Sequence, residues 1–282
     1  RVTEAGSEES RRLNLYSDPD CTALREKIAA YLGLGRDNII CTNGSDEALS
    51  FIFMAYGGEK RPFIFPNYTY GFYKVFAELY GAAYEEVPLR PDYTIDPADY
   101  AGRNANIVIA NPNAPTGIAL GLEDTQKIAS SNPDGVVVID EAHVDFGGES
   151  AAGLIKKYDN LIVVRTFSKS RSLAGGRLGF AAASEGIIAD LNALRFSTNP
   201  YNVNRMTAAA GIASLAADEY SRANALTIRE NRRFTTDGLR ALGFELPESS
   251  ANFVFARRPG LPGETLYRKL KERGVLVRHF SK

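Results

Sequence analysis

The run Gly135-Val-Val-Val-Ile139 constrains the fold more than any other stretch of this chain. A strand with one wet face alternates apolar and polar residues. Four β-branched residues in succession leave no polar face, so this strand is expected to be buried on both sides. Short apolar runs at 39–42, 62–66, 106–110, 161–165 and 178–183 read as further strands. Between them lie helical segments at 20–32, from 47 onward, at 70–80 and at 122–130. The first of these has Leu24, Ile28, Tyr31 and Leu32 at helical spacing behind Ser17-Asp-Pro-Asp20, a start rich in capping oxygens. Strands alternating with helices predict an α/β protein whose mostly parallel sheet is flanked by helices.

The two ends of the chain read differently. Residues 1–15 are polar and without period, so an extended arm is expected there. A long helix is expected over 218–242, closed by Leu242-Gly243 as a C-cap that marks a change of unit. A strand at 250–256 and a helix at 263–273 then predict a smaller α+β unit. The expected division is an arm at 1–19, a large domain at 20–242 and a small domain at 243–282. Neither repeats nor low-complexity tracts interrupt it.

Composition narrows the function classes. The formal net charge of 282 residues is -1, which argues against nucleic acid or a membrane surface as partner. No apolar run has transmembrane length, and the polar start does not read as a signal peptide. Cys21 and Cys41 lack metal-ligand spacing and read as reduced thiols of a cytoplasmic protein. With two histidines and no His-x-x-x-His or Cys-x-x-Cys, no metal site is expected.

In open α/β sheets, sites gather at the carboxyl ends of strands. Four polar clusters fall there. Asn43-Gly44-Ser45-Asp46-Glu47 joins a strand to a helix, so its backbone amides suit a phosphate; a plain capped helix start is the alternative. Asn111-Pro-Asn-Ala-Pro-Thr-Gly117 is a rigid turn able to present the Asn113 amide, or only a tight connection. Asp140 ends the Val-Ile strand, where a half-buried carboxylate needs a cationic partner such as a protonated pyridine, unless it merely caps the turn. His143 follows, either as a hydrogen-bonding group or as packed core. Lys169, in Arg165-Thr-Phe-Ser-Lys-Ser-Arg-Ser-Leu-Ala-Gly-Gly-Arg177, follows a fourth strand. A lysine held this way can form a Schiff base with pyridoxal phosphate while Thr166, Ser168 and Arg177 grip the phosphate; a surface lysine in a basic loop is the alternative. Among Tyr68, Tyr70, Phe72 and Tyr73, one ring can stack on a planar group, with core packing favoured for Tyr68, Phe72 and Tyr73.

Taken in order, Gly-Ser-Asp, Tyr-Gly-Phe-Tyr, Asn-Pro-Asn-Ala-Pro-Thr-Gly, Asp-Glu-Ala-His and Ser-Lys(x7)Arg-x-Gly-Phe resemble the fold-type I, pyridoxal-phosphate-dependent aminotransferases. Within them the chain is most similar to the histidinol-phosphate aminotransferases, from about Leu13 to Phe280. Each motif is moderately specific; their joint order and spacing are highly specific.

The resemblance implies roles residue by residue. Lys169 is the Schiff-base lysine and Asp140 the pyridinium partner. Gly44, Ser45, Asp46, Thr166, Ser168 and Arg177 surround the cofactor phosphate, and Tyr70 stacks on the ring. His143 and Asn113 are candidates for the ring hydroxyl. Tyr16 reaches the cofactor phosphate of a partner subunit, so a homodimer is implied. Arg278 holds the substrate's phosphate. The implied reaction converts L-histidinol phosphate and 2-oxoglutarate, amine donor and keto-acid acceptor, in histidine biosynthesis. Decarboxylation of threonine phosphate, aromatic or broad-range transamination, and an inactive cofactor-binding fragment are the alternatives. Three departures from the family pattern stand out. His143 replaces a usual tyrosine. Ala114 stands where asparagine usually precedes Pro-Thr-Gly. Family segments expected before Arg1 and after Lys282 are absent from the chain.

Overall fold

A computed structural model describes residues 1–280; the last two residues of the expected small domain lie outside the described part. Seven strands form one sheet: β1 (Ile39–Thr42), β2 (Phe63–Pro66), β3 (Tyr84–Val87), β4 (Asn106–Ala110), β5 (Val137–Asp140), β6 (Leu161–Thr166) and β7 (Gly179–Ala182). Their order is β1-β7-β6-β5-β4-β2-β3. The run β6-β5-β4-β2-β3 is parallel throughout, whereas β7 lies antiparallel between β6 and β1.

The Val-Ile run behaves as its composition demands. Val137 and Ile139 enter a core layer with Ile107, Ile109, Leu161 and Val163, covered by α2 (Thr22–Leu32) and α5 (Leu122–Ser131). Val136 and Val138 enter the opposite layer with Phe63, Phe65, Ile162 and Val164, covered by α3 (Ser45–Tyr56) and α4 (Phe72–Leu79). Each successive side chain changes face, and both faces are dry. Burying one such Val or Ile contributes about 1.5–3 kcal/mol.

Two expectations fail. Residues 1–15 are not an extended arm: α1 (Val2–Glu9) is a helix lying on α7 (Arg205–Ala216). The buried Gly6 lets the backbones approach, and Glu9 pairs with Arg205 at 2.8 Å. Close helix contact through a glycine, rather than an apolar stripe, decides this helix. Residues 250–256 form no strand; nearby pairing is limited to the bridges Glu245↔Arg257 and Arg258↔Leu261. Side chains claim this backbone instead. Ser249 Oγ donates to the Phe253 carbonyl at 2.7 Å and accepts from the Ala251 amide at 3.1 Å, and Arg232 donates to the Ala251 carbonyl.

β3, α6 (Glu185–Thr198) and α7 were not expected from the pattern, while α8 (Asp218–Ala241) and α9 (Gly263–Glu272) were. α8 closes as expected. Gly243 has φ +80°, its amide donates to the Arg240 carbonyl at 2.9 Å, and the Phe244 amide reaches Leu239 at 3.1 Å. Among the described residues no helix is long and apolar enough to cross a membrane.

Candidate active site

The sheet brings the strand-end clusters together. β1 leads into Gly44 and α3, β5 ends on Asp140, and β6 leads into the loop carrying Lys169. β7 returns from that loop and pairs with both β6 and β1. Gly179 thereby lies against the start of α3: a Cβ on it would sit 2.4 Å from the Ser45 nitrogen.

This end of the site is built from open amides and one guanidinium. α3 starts without a side-chain cap, leaving its first N–H groups directed outward. Gly44, at φ +78°, occupies backbone space disfavoured for other residues, and a Cβ there would meet Arg177 Nη2 at 2.5 Å. Arg177 is itself left-handed, at φ +52°, and exposed, 3.9 Å from the Asp46 carboxylate. Asp46 also accepts from the Tyr70 hydroxyl at 2.9 Å, which places the Tyr70 ring above this end. Thr166 Oγ1 donates to Ser168 Oγ at 2.9 Å and accepts from the Ser168 amide at 3.1 Å, folding the chain sharply ahead of the exposed Lys169. These contacts make a cradle for an anionic group.

The other end is dry. Asp140 is 4% exposed. Its Oδ2 accepts from the Tyr73 hydroxyl at 2.8 Å and its Oδ1 from the Ala142 amide at 3.2 Å. Among the described residues no lysine or arginine pairs with it directly. Burial pushes its carboxyl up to about 6, with the Tyr73 and Ala142 hydrogen bonds and the nearby Lys169 charge opposing. Tyr73, read from sequence as core packing, is fully buried and also supplies this hydroxyl. Its T-shaped contact with Tyr70, at 5.5 Å, links the two ends.

His143 is nearly enclosed, and burial pushes it down to about 4, so its imidazole is neutral. Its Nδ1 donates to Asn252 Oδ1 at 2.6 Å, which leaves Nε2 as an acceptor, and its ring meets Phe253 edge-on. The irregular 250–256 segment therefore orients a candidate site residue, a link with no signal in the sequence. Asn113 has another task. Its Nδ2 donates to the Tyr68 carbonyl at 2.8 Å and to Thr116 Oγ1 at 3.1 Å, and its Oδ1 accepts from Thr69 Oγ1 at 2.9 Å. Both amide hydrogens are engaged, so Asn113 pins the Tyr68–Tyr70 turn rather than presenting a free N–H.

Two candidates lie outside this cluster. Tyr16 is 79% exposed and stacks on Tyr201 at 4.5 Å. Arg278 is exposed, its guanidinium 5.6 Å from the Phe280 ring. Phe280 contacts Phe255, which contacts Tyr68 and Tyr93, so an aromatic path runs from Arg278 to the turn pinned by Asn113.

Comparison with known proteins places this arrangement. The family of class I and II aminotransferases matches residues 1–282. Histidinol-phosphate aminotransferase from Acetobacter pasteurianus is 44% identical over 95% of this chain and 75% of its own length. Histidinol-phosphate aminotransferase 1 from Bradyrhizobium diazoefficiens is 45% identical over 100% of the chain and 81% of its own. Among solved structures, histidinol-phosphate aminotransferase from Sinorhizobium meliloti, in complex with pyridoxal-5'-phosphate, has a TM-score of 0.88 at 24% identity, covering 98% of this chain and 78% of that one. This last likeness is one of fold. The chain belongs to the class I and II aminotransferase family. Its reaction class is accordingly the transfer of an amino group.

The residues fit pyridoxal phosphate. The group is planar, with a dianionic phosphate at one end and a basic ring nitrogen at the other. A cradle that a single Cβ on Gly44 would fill suits the first. A buried carboxylate with two hydrogen-bond donors and, among the described residues, no direct cationic partner suits the second.

Proposed function

We propose that this chain is a pyridoxal-phosphate-dependent aminotransferase that takes the amino group of L-histidinol phosphate and passes it to 2-oxoglutarate, forming imidazole acetol phosphate and L-glutamate. The observation that carries the substrate is identity of 44–45% over 95–100% of the chain to curated histidinol-phosphate aminotransferases. Those names favour transamination over decarboxylation of threonine phosphate.

Pyridoxal phosphate, when bound, supplies a carbonyl that condenses with amines and a ring that takes up electrons released at the substrate Cα. The chain's residues do the rest. Lys169 Nζ would hold the cofactor covalently and, once released by the substrate amine, would serve as the base for the proton on the substrate Cα. Asp140 keeps the ring nitrogen protonated, and a buried carboxylate is strong at this because water screens it little. The α3 amides, Thr166, Ser168 and Arg177 would hold the phosphate, Tyr70 would pack on the ring, and His143 Nε2 would face the ring hydroxyl. Arg278 recognises the substrate phosphate, to which a planar guanidinium fork is well matched.

We also assign the working unit as a homodimer. The exposed Tyr16 ring, stacked on Tyr201, would reach the neighbour's cofactor phosphate. The division into residues 20–242 and a smaller C-terminal unit from 243 belongs to the same reading.

The test is glutamate formation from 2-oxoglutarate with L-histidinol phosphate as donor. Arg278→Ala should raise KM for histidinol phosphate far more than for histidinol. Carbon dioxide release from threonine phosphate without glutamate formation would overturn the reading, as would equal KM changes for the two donors for the role of Arg278. Light scattering showing an active monomer would remove Tyr16 from the site.

A further inference from the structure

Behind the two candidate catalytic residues lies a set of charges, Arg165 and Glu141 buried and Asp145 partly so, that the reaction does not touch. Glu141 follows Asp140 in sequence, and Ser170 follows Lys169. One arginine joins these neighbours. Arg165, near the end of β6, is 8% exposed at its side chain. Its Nη2 pairs with Asp145 and its Nε stands 3.9 Å from Glu141. Asp145 Oδ2 in turn accepts from Ser170 Oγ. Glu141 is completed by the Ser150 hydroxyl and the Ala151 amide, each at 2.6 Å.

Such a group of charges is not a natural source of stability. Taking the Arg165 guanidinium and the Glu141 carboxylate out of water is costly, and apolar replacements of the same shape are often as stable. Its effect is geometric. Elsewhere the Lys169 loop is held by backbone turns, such as Ser172 N to Lys169 O at 3.1 Å, by the Thr166–Ser168 contact ahead of it and, behind it, by Arg171, which pairs with Asp218 and donates to the Ser214 carbonyl at 3.1 Å, and by Thr207, which donates to the Gly176 carbonyl at 2.8 Å. The Lys169 side chain itself is exposed. The one buried hydroxyl adjoining the lysine is Ser170, and it is tied to the loop that follows Asp140.

We propose that Asp145, held by Arg165, is a positioning residue for Lys169. Through Ser170 it sets the distance and direction from the Lys169 backbone to Asp140, so that Nζ reaches both the cofactor carbon and the substrate Cα. The proposal rests on the assignment of Lys169 and Asp140 above. A misplacement near 1 Å can lower a rate by roughly a hundredfold, so loss of one hydrogen bond in the clamp should be felt at about a tenth of that.

The experiment uses the holoenzyme and the cofactor-free protein, with Ser170→Ala, Ser170→Thr and Asp145→Asn. Ser170→Ala removes one hydroxyl and little volume, so it folds even if Asp145→Asn does not. It should lower kcat by roughly tenfold with donor KM within about twofold. In the cofactor-free protein, a succinimidyl ester should acylate Lys169 several-fold faster, read by peptide mass spectrometry against Lys127 as internal standard. Ser170→Thr, which keeps the hydroxyl, should restore both values. Unchanged kcat and Lys169 acylation in Ser170→Ala would overturn the clamp, as would a change confined to Tm or a Ser170→Thr variant no better than Ser170→Ala. Lys169→Ala run alongside separates the two readings: if it retains turnover, the site assignment fails; if it is dead while Ser170→Ala is normal, only the clamp fails.

Discussion

The two ends of the candidate site solve opposite electrostatic problems. At the phosphate end, Arg177 is exposed, Asp46 is partly exposed, and no side chain caps α3. Solvent screens these charges, so binding depends on geometry: glycines at Gly44 and Gly179 where a Cβ would collide, and several donors converging. At the ring end, Asp140 and Tyr73 are buried, and low dielectric does the work. Substitutions of shape should therefore act at the phosphate end and substitutions of charge at the ring end.

The largest effect is expected where the two ends meet. Lys169→Ala removes the covalent anchor and the proton carrier together, and transamination should fall by at least about 10⁴-fold while the fold persists. Single-turnover rates within tenfold of the parent would break the assignment.

Asp140→Asn keeps the shape and removes the charge. The rate should fall on the order of 10²–10³-fold. The same change should stabilise the cofactor-free protein near neutral pH. The Asp140 carboxyl is raised from 3.8 to about 6, so the folded state holds its proton more tightly than the unfolded chain. Its contribution is present in full below about 4 and is lost as pH rises through about 6, a difference of about 3 kcal/mol. Melting temperature measured against pH should thus show the variant gaining on the parent between pH 4 and 6 and holding that gain above. Glu141, raised from 4.5 to about 7, works in the same direction, whereas His143, lowered from 6.5 to about 4, removes stability as pH falls through that range. Both are common to the two proteins and cancel in the difference. A constant offset from pH 4 to 7 would show that Asp140 is not dry.

Gly44→Ala tests shape at the other end. At φ +78° and ψ 166° Gly44 occupies a region nearly exclusive to glycine, where alanine costs on the order of 1–3 kcal/mol, and the added methyl would collide with the Arg177 guanidinium. Affinity for pyridoxal phosphate should fall at least about tenfold by fluorescence titration, with donor KM in the reloaded enzyme nearly unchanged. Normal affinity would mean that Arg177 holds nothing. The smallest effect belongs to Tyr73→Phe, which removes one hydrogen bond to a charged group, about 1.5–3 kcal/mol at most. Its rate should drop much less than that of Asp140→Asn; an equal drop would move the catalytic role from the carboxylate to the phenol.

Sequence and structure agree best where one physical cause acts alone. The Val136–Ile139 run needed two dry faces, and the strand-end positions of Gly44, Asp140 and Lys169 followed from the alternation of strands and helices. What escaped was decided by partners remote in the chain. Tyr73 reads as a core aromatic, and its hydroxyl acquires meaning only because α4 packs over β5. Asn252 lies just before the apolar run Phe253-Val-Phe-Ala256, which reads as a strand, yet side-chain hydrogen bonds to Ser249 and Arg232 outcompete a ladder. α1 lacks an apolar stripe, because Gly6 sets its packing. Asn113 looks like a presented amide until its two hydrogens are counted against Tyr68 and Thr116.

The antiparallel insertion of β7 has a consequence for how this protein tolerates change. Lys169 and Arg177 ride on one connection, closed at its base by the Phe167 amide on the Leu178 carbonyl at 2.9 Å and cross-tied by Leu173 to Phe167 at 3.0 Å. The covalent anchor and the phosphate grip are thus a single cassette eight residues apart, while Gly44 and Asp140 arrive on separate crossovers. Length changes after β1 disturb the phosphate end alone, and those after β5 the ring end and the Asp145 contact with Ser170. A one-residue insertion between Lys169 and Arg177 shifts both at once, making this short hairpin loop the stretch where drift in length is least survivable.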